Sequence, residues 1–69
     1  MKIITTISDL RNLVDGWDAN GDLSRDQIDD AAAKIRDLAH SAGLTYGDDW
    51  GPFLNTISFD DVLAFAEAA

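Results

Sequence analysis

The residues able to do chemistry in this chain are few in kind. There is one histidine, His40, and no cysteine; four serines, at 8, 24, 41 and 58, are the remaining side chains of nucleophilic type besides the threonines. Nucleophilic catalysis needs a base within hydrogen-bond reach of the attacking oxygen, and only His40 can fill that role in the usual way. Three of the serines have another explanation, because Ser8, Ser24 and Ser58 each precede an apolar-periodic stretch and suit helix N-caps. His40 falls where a helix ends, a position that favours a partial positive charge. What is abundant is carboxylate: twelve aspartates and one glutamate against five bases, a net charge of −8. Carboxylates can hold hard cations or meet basic protein surfaces, whereas they repel nucleic acid and anionic membrane. An enzyme is not expected.

The charge is distributed unevenly. Residues 1–36 carry all five bases beside seven acids, and residues 37–69 carry six acids with no Lys or Arg. The acids of the base-free half are Asp37, Asp48, Asp49, Asp60, Asp61 and Glu67, with the aromatics Trp50 and Phe53 among them. These eight residues form the expected partner-binding set. Carboxylates spaced like backbone phosphates can occupy an Arg/Lys groove made for nucleic acid, and an aromatic anchor slows dissociation. Two uses are open to Trp50 and Phe53, closing the core or anchoring a partner. A surface this acidic also serves plain solubility. The bases have candidate partners one helical turn away, Lys34 with Asp30 and Arg25 with Asp29.

Sixty-nine residues make one domain, residues 1–69, near the lower limit for a core without disulfides. The apolar fraction of 46% is ordinary for a folded chain. No apolar run is long enough to span a bilayer, and Asp9 interrupts the start before a signal-peptide core forms, so a cytoplasmic protein without membrane contact is expected.

Three helices must position these groups. The first begins near Ser8 with the stripe Leu10, Leu13, Val14 and Trp17. The second starts after Ser24, with Gln27 completing a capping box, buries Ile28, Ala31, Ala32, Ile35, Leu38 and Ala39, and ends at Ala42-Gly43. The third follows Ser58, with Asp61 three residues on and the apolar face Val62, Phe65, Ala66 and Ala69. Pro52 and the glycines exclude a long helix between Leu44 and Thr56. The expected fold is mainly α: a helix hairpin plus a C-terminal helix, with residues 2–7 and 53–57 as candidates for a short two-stranded β pair.

Leu10, Leu13, Val14 and Trp17, then Asp18-Ala19-Asn20-Gly21-Asp22, then Leu23 to Gln27 and the apolar Ile28, Ala31, Ala32 and Ile35 resemble an EF-hand, the calcium-binding helix–loop–helix. The resemblance spans residues 10–35 and implies calcium at Asp18, Asn20, Asp22, Asp26 and Asp29. Counted from Asp18 to Gln27 the loop is two residues short of twelve, and Gln27 replaces the bidentate glutamate. Counted to Asp29 it keeps its length, but Leu23 falls on the glycine position. Ile57 to Val62 is similar to the exit of a second such loop, with nothing matching before it. In size, charge and lack of catalytic groups the chain is similar in type to small phage and mobile-element inhibitors of the anti-CRISPR and anti-restriction kind. That likeness implies no cofactor, a basic nucleic-acid-binding protein complex as partner, and the host cytoplasm as place of action. The EF-hand reading, a calcium module, is the alternative.

Overall fold

Local capping chemistry sets where the three longer helices begin. In the computed structural model, which describes residues 2–67, α1 runs Ile7–Trp17, α2 Arg25–Ser41, α3 Gly51–Leu54 and α4 Phe59–Glu67. The chain is mainly helical, as its periodicity predicts. Helix α1 starts a residue before Ser8. The Asp9 carboxylate accepts from the Thr5 and Thr6 backbone N–H groups at 2.9 and 3.1 Å and from the Thr5 hydroxyl at 2.8 Å. An acid in the first turn satisfies orphan donors and suits the helix dipole, so Thr6 rather than Ser8 is the cap.

The expected capping boxes of α2 and α4 are formed. The Gln27 N–H donates to Ser24 Oγ at 3.2 Å and the Ser24 N–H donates back to Gln27 Oε1 at 2.8 Å. Asp61 and Ser58 repeat the exchange at 3.2 and 3.1 Å. Helix α2 ends as Ala42-Gly43 predicts. Gly43 takes φ 88°, its N–H donates to the His40 carbonyl, and the Leu44 N–H donates to the Ala39 carbonyl. That pair of bonds is a Schellman motif, and only glycine enters the left-handed region without strain.

The core is one cluster drawn from every helix: Leu10 and Val14 of α1, Ala31, Ala32, Ile35 and Ala39 of α2, Leu54 of α3, and Val62 and Ala66 of α4, joined by Ile4 and Trp50. Helix α2 is the central element, with α1 and α4 packed on it. Three of its alanines, Ala31, Ala32 and Ala39, are wholly buried, and such small side chains let helices approach closely. The Cα radius of gyration, 11.1 Å, matches the roughly 11 Å of a folded domain this long.

Four expectations need correction. Residues 53–57 are not a strand: Gly51–Leu54 form one helical turn with Pro52 near its start, where a missing N–H costs nothing. The N-terminal segment pairs instead with residues 47–50, through a single antiparallel bridge between Ile3 and Asp49, flanked by Gly47 N–H to Ile4 carbonyl (2.7 Å) and Trp50 N–H to Lys2 carbonyl (2.8 Å). Leu38 is exposed rather than buried, because it lies at the edge of the α2 face formed by Ala31, Ala32, Ile35 and Ala39. The ion pairs also differ. Asp29 bonds Arg11 across the α1–α2 contact at 2.8 Å, and Arg36 bonds its neighbour Asp37 at 3.1 Å, so neither Asp30–Lys34 nor Arg25–Asp29 forms. Spacing along one helix says nothing of a base offered by the next. Ala69, placed on the apolar face of the last helix, lies outside the described residues.

Candidate functional site

The connection from Leu44 to Gly51 is built by carboxylates. Thr45 to Asp48 make a β-turn, closed by the Asp48 N–H on the Thr45 carbonyl at 3.1 Å, with Gly47 at φ 97° in its third position. Asp48 Oδ2 accepts from the Thr45 N–H at 2.8 Å and from the Thr45 hydroxyl at 3.0 Å. Asp49 Oδ1 accepts from the Lys2 N–H at 2.9 Å and the Gly51 N–H at 3.0 Å, fastening the N-terminal segment to the start of α3. A side chain at position 51 would crowd that carboxylate: a Cβ there meets Asp49 Oδ1 at 3.1 Å.

Hydrogen bonds to a charged carboxylate favour its ionised form. The Lys2 and Gly51 N–H groups hold Asp49 below the usual aspartate range, and the Thr5 backbone and hydroxyl donors do the same for Asp9. A group whose folded pKa is depressed stabilises the fold above its unfolded value of about 3.9 and loses that contribution as pH falls through the folded pKa. The melting temperature is therefore expected to be level near neutrality and to fall below about pH 4. The Asp9→Asn and Asp49→Asn variants should melt lower than the parent at neutral pH and converge on it in acid. Thermal melts across pH 2–7 check this, and a difference independent of pH would contradict it.

All six acids of the base-free half are exposed. Asp37 is the one in an ion pair; Asp48, Asp49, Asp60, Asp61 and Glu67 have no Lys, Arg or His partner within 4 Å among the described residues. They belong to separate elements. Asp48 and Asp49 precede α3, Asp60 and Asp61 open α4, and Glu67 closes it, about 9 Å of helix rise beyond Asp61. The fold brings Lys2 beside Asp49 through its backbone N–H and Arg36 beside Asp37, so two of the five bases lie among these acids.

The aromatic neighbours are placed differently from the sequence expectation. Trp50 has no exposed surface and is the largest fully buried side chain, so it cannot be a surface anchor. Its indole N–H is satisfied by the Thr45 carbonyl at 3.0 Å, which makes complete burial affordable. Phe53 is half-buried and packs edge-on against it, centroids 6.3 Å apart. The exposed aromatic of this cluster, besides His40, is Tyr46, at the tip of the turn. It lies parallel to Trp50 with centroids at 6.1 Å and takes the His40 ring edge-on at 5.8 Å, while keeping 40% of its surface in solvent. Sequence reasoning missed Tyr46; its place just before a glycine in a turn, away from any apolar stripe, was the available signal.

His40 sits in the last turn of α2, against Tyr46 and Trp50, and no hydrogen bond among the described residues joins it to a serine. An open polar groove of about 490 Å³ lies between α1 and the start of α2, lined by Ser8, Arg11, Asn12, Asp15, Arg25, Ile28 and Asp29, in the half of the chain that holds the bases.

The EF-hand-like segment is a helix–loop–helix closed from within. Asp18 is 8% exposed; its Oδ1 accepts from the Asp22 N–H at 2.8 Å and its Oδ2 from the Leu23 N–H at 2.9 Å. Gly21 takes φ 71° at the tight turn. Placing that glycine sixth, where the EF-hand turns, starts the twelve-residue loop at Gly16 and ends it at Gln27, a register that neither sequence count used. Asp18, Asn20, Asp22 and Ser24 then fall on ligand positions, while the first position has no side-chain oxygen. Of the proposed metal set, Asp29 lies on α2 paired with Arg11, and Asp26 lies in its first turn. Among the described residues no three His, Cys, Asp or Glu side chains are grouped to hold an ion. Nor is any helix among them long and apolar enough to cross a membrane. No family model, no curated protein and no solved structure matches this chain.

Proposed function

We propose that this chain is a non-enzymatic binding protein whose C-terminal half presents carboxylates to a basic protein surface, as an inhibitor of the anti-CRISPR or anti-restriction type would to a nucleic-acid-binding complex in the host cytoplasm. One observation carries the reading: five of the six acids in the base-free half are exposed without a basic partner among the described residues. Holding like charges on a small fold costs self-repulsion, which a basic partner would relieve on binding. The anchoring by Thr45, Lys2 and Gly51 supports it further, because a carboxylate already fixed loses little freedom when it meets a guanidinium.

The test is capture of a complex from cell extract on the immobilised protein, elution by a salt gradient, and affinity measurement against the captured complex. Changing Asp48, Asp49, Asp60 and Asp61 to Asn is expected to weaken association by about 10- to 1,000-fold at low salt and to flatten its salt dependence. Affinity unchanged at low ionic strength would end this reading. Asp60 serves as the cleanest single site, since its carboxylate takes part in no hydrogen bond among the described residues, whereas Asp48, Asp49 and Asp61 also hold main-chain groups.

A calcium module remains the second reading. It is favoured by Gly21 at the turn and by the oxygen-bearing residues Asp18, Asn20, Asp22 and Ser24 at alternate positions around it. It is disfavoured by Asp18, whose two oxygens are already engaged by the main chain, so that a cation would have to compete for them.

A further inference from the structure

We infer that Tyr46 is the anchor of the interaction surface and that the partner group it receives is an arginine side chain. This rests on the acidic-surface reading above. The ring sits at the tip of the Thr45–Asp48 turn and packs on two other rings, with Trp50 lying parallel to it and His40 edge-on. It is 40% exposed, although tyrosine carries enough apolar surface to be drawn inward when a core can accept it.

The groups around it select the chemistry. Asp48 follows two residues later and spends Oδ2 on Thr45; Asp49 spends Oδ1 on Lys2 and Gly51. Asp48 Oδ1 and Asp49 Oδ2 receive no hydrogen bond from the described residues, so each carboxylate is oriented by one oxygen and offers the other. An exposed aromatic ring carried on the same turn as an oriented carboxylate matches a guanidinium, which stacks on aromatic faces and donates in a planar fork. A lysine ammonium, compact and strongly hydrated, uses the charge but gains less from the ring. A second copy of this chain does not fit, since it would bring −8 to a surface already negative.

The experiment titrates the whole protein with oligo-arginine and oligo-lysine peptides of equal length at low ionic strength. Expected is salt-sensitive binding of both, with oligo-arginine roughly threefold or more tighter. Tyr46→Leu should abolish that preference, Tyr46→Phe should keep it, and the ring protons of Tyr46 should shift on adding oligo-arginine to the unmodified protein. Equal binding of the two peptides with unmoved Tyr46 ring resonances would overturn the anchor while leaving the acidic surface standing. No binding of either peptide would overturn the acidic surface and the anchor with it. Should the leucine variant fail to fold, the ring-proton shifts of the unmodified protein decide the question.

Discussion

Replacing Trp50 with alanine is expected to remove a large fraction of the fold's stability at room temperature. The indole is wholly buried, meets Tyr46, His40 and Phe53, and bonds the Thr45 carbonyl. Truncating a buried tryptophan removes its transfer energy and leaves a cavity, about 3–5 kcal/mol in all. A domain of this length has roughly 3–10 kcal/mol to lose, so one substitution removes a large fraction of the total. Urea titration followed by far-UV circular dichroism measures it. Trp50→Phe should be milder, because it keeps most of the volume and gives up the N–H bond. A parent-like midpoint for the alanine variant would mean that Trp50 does not close the core, and the assignment of the exposed anchor to Tyr46 would have to be reopened.

The second large effect is expected at Asp18. Its carboxylate takes two backbone N–H groups of the α1–α2 loop in a partly buried setting. Asp18→Ala leaves both donors without an acceptor, a loss of about 2–4 kcal/mol. Asp18→Asn keeps one acceptor oxygen and should lose about half as much. Calcium turns this into a test of the loop's role. If Asp18 closes the loop from within, millimolar calcium should leave the parent's melting temperature unchanged, and both variants should fall by the same amount with or without it. If the loop is a calcium site, calcium should raise the parent's melting temperature and the alanine variant should lose that increment. A calcium-dependent rise would move the calcium module ahead of the acidic-surface reading.

Both effects concern residues whose importance was visible in the sequence and whose role was not. Trp50 stood out by size and by its place beside two aspartates. Whether such a ring faces outward or inward depends on whether a carbonyl is in reach of its N–H, and here that acceptor, Thr45, is supplied by a turn closed by the Asp48 N–H. Asp18 stood out as an oxygen at a loop start. That its oxygens reach Asp22 and Leu23 follows from Gly21 adopting a positive φ, a choice glycine permits without dictating.

What the order of residues determined by itself was mostly local. The boxes Ser24–Gln27 and Ser58–Asp61, the glycine end of α2, and the stripes of all three long helices depend on neighbours within four or five positions, and these were legible. So was the loss of countercharge after Arg36, which is a property of composition. Tertiary structure alone decided the rest. It carried the N-terminal segment to residues 47–50 instead of 53–57, matched Arg11 with Asp29, left Leu38 outside, and exchanged Trp50 for Tyr46 at the surface. Each of these joins groups from separate elements, and the energy of such a contact exists only after the helices have packed, so no window along the chain contains it.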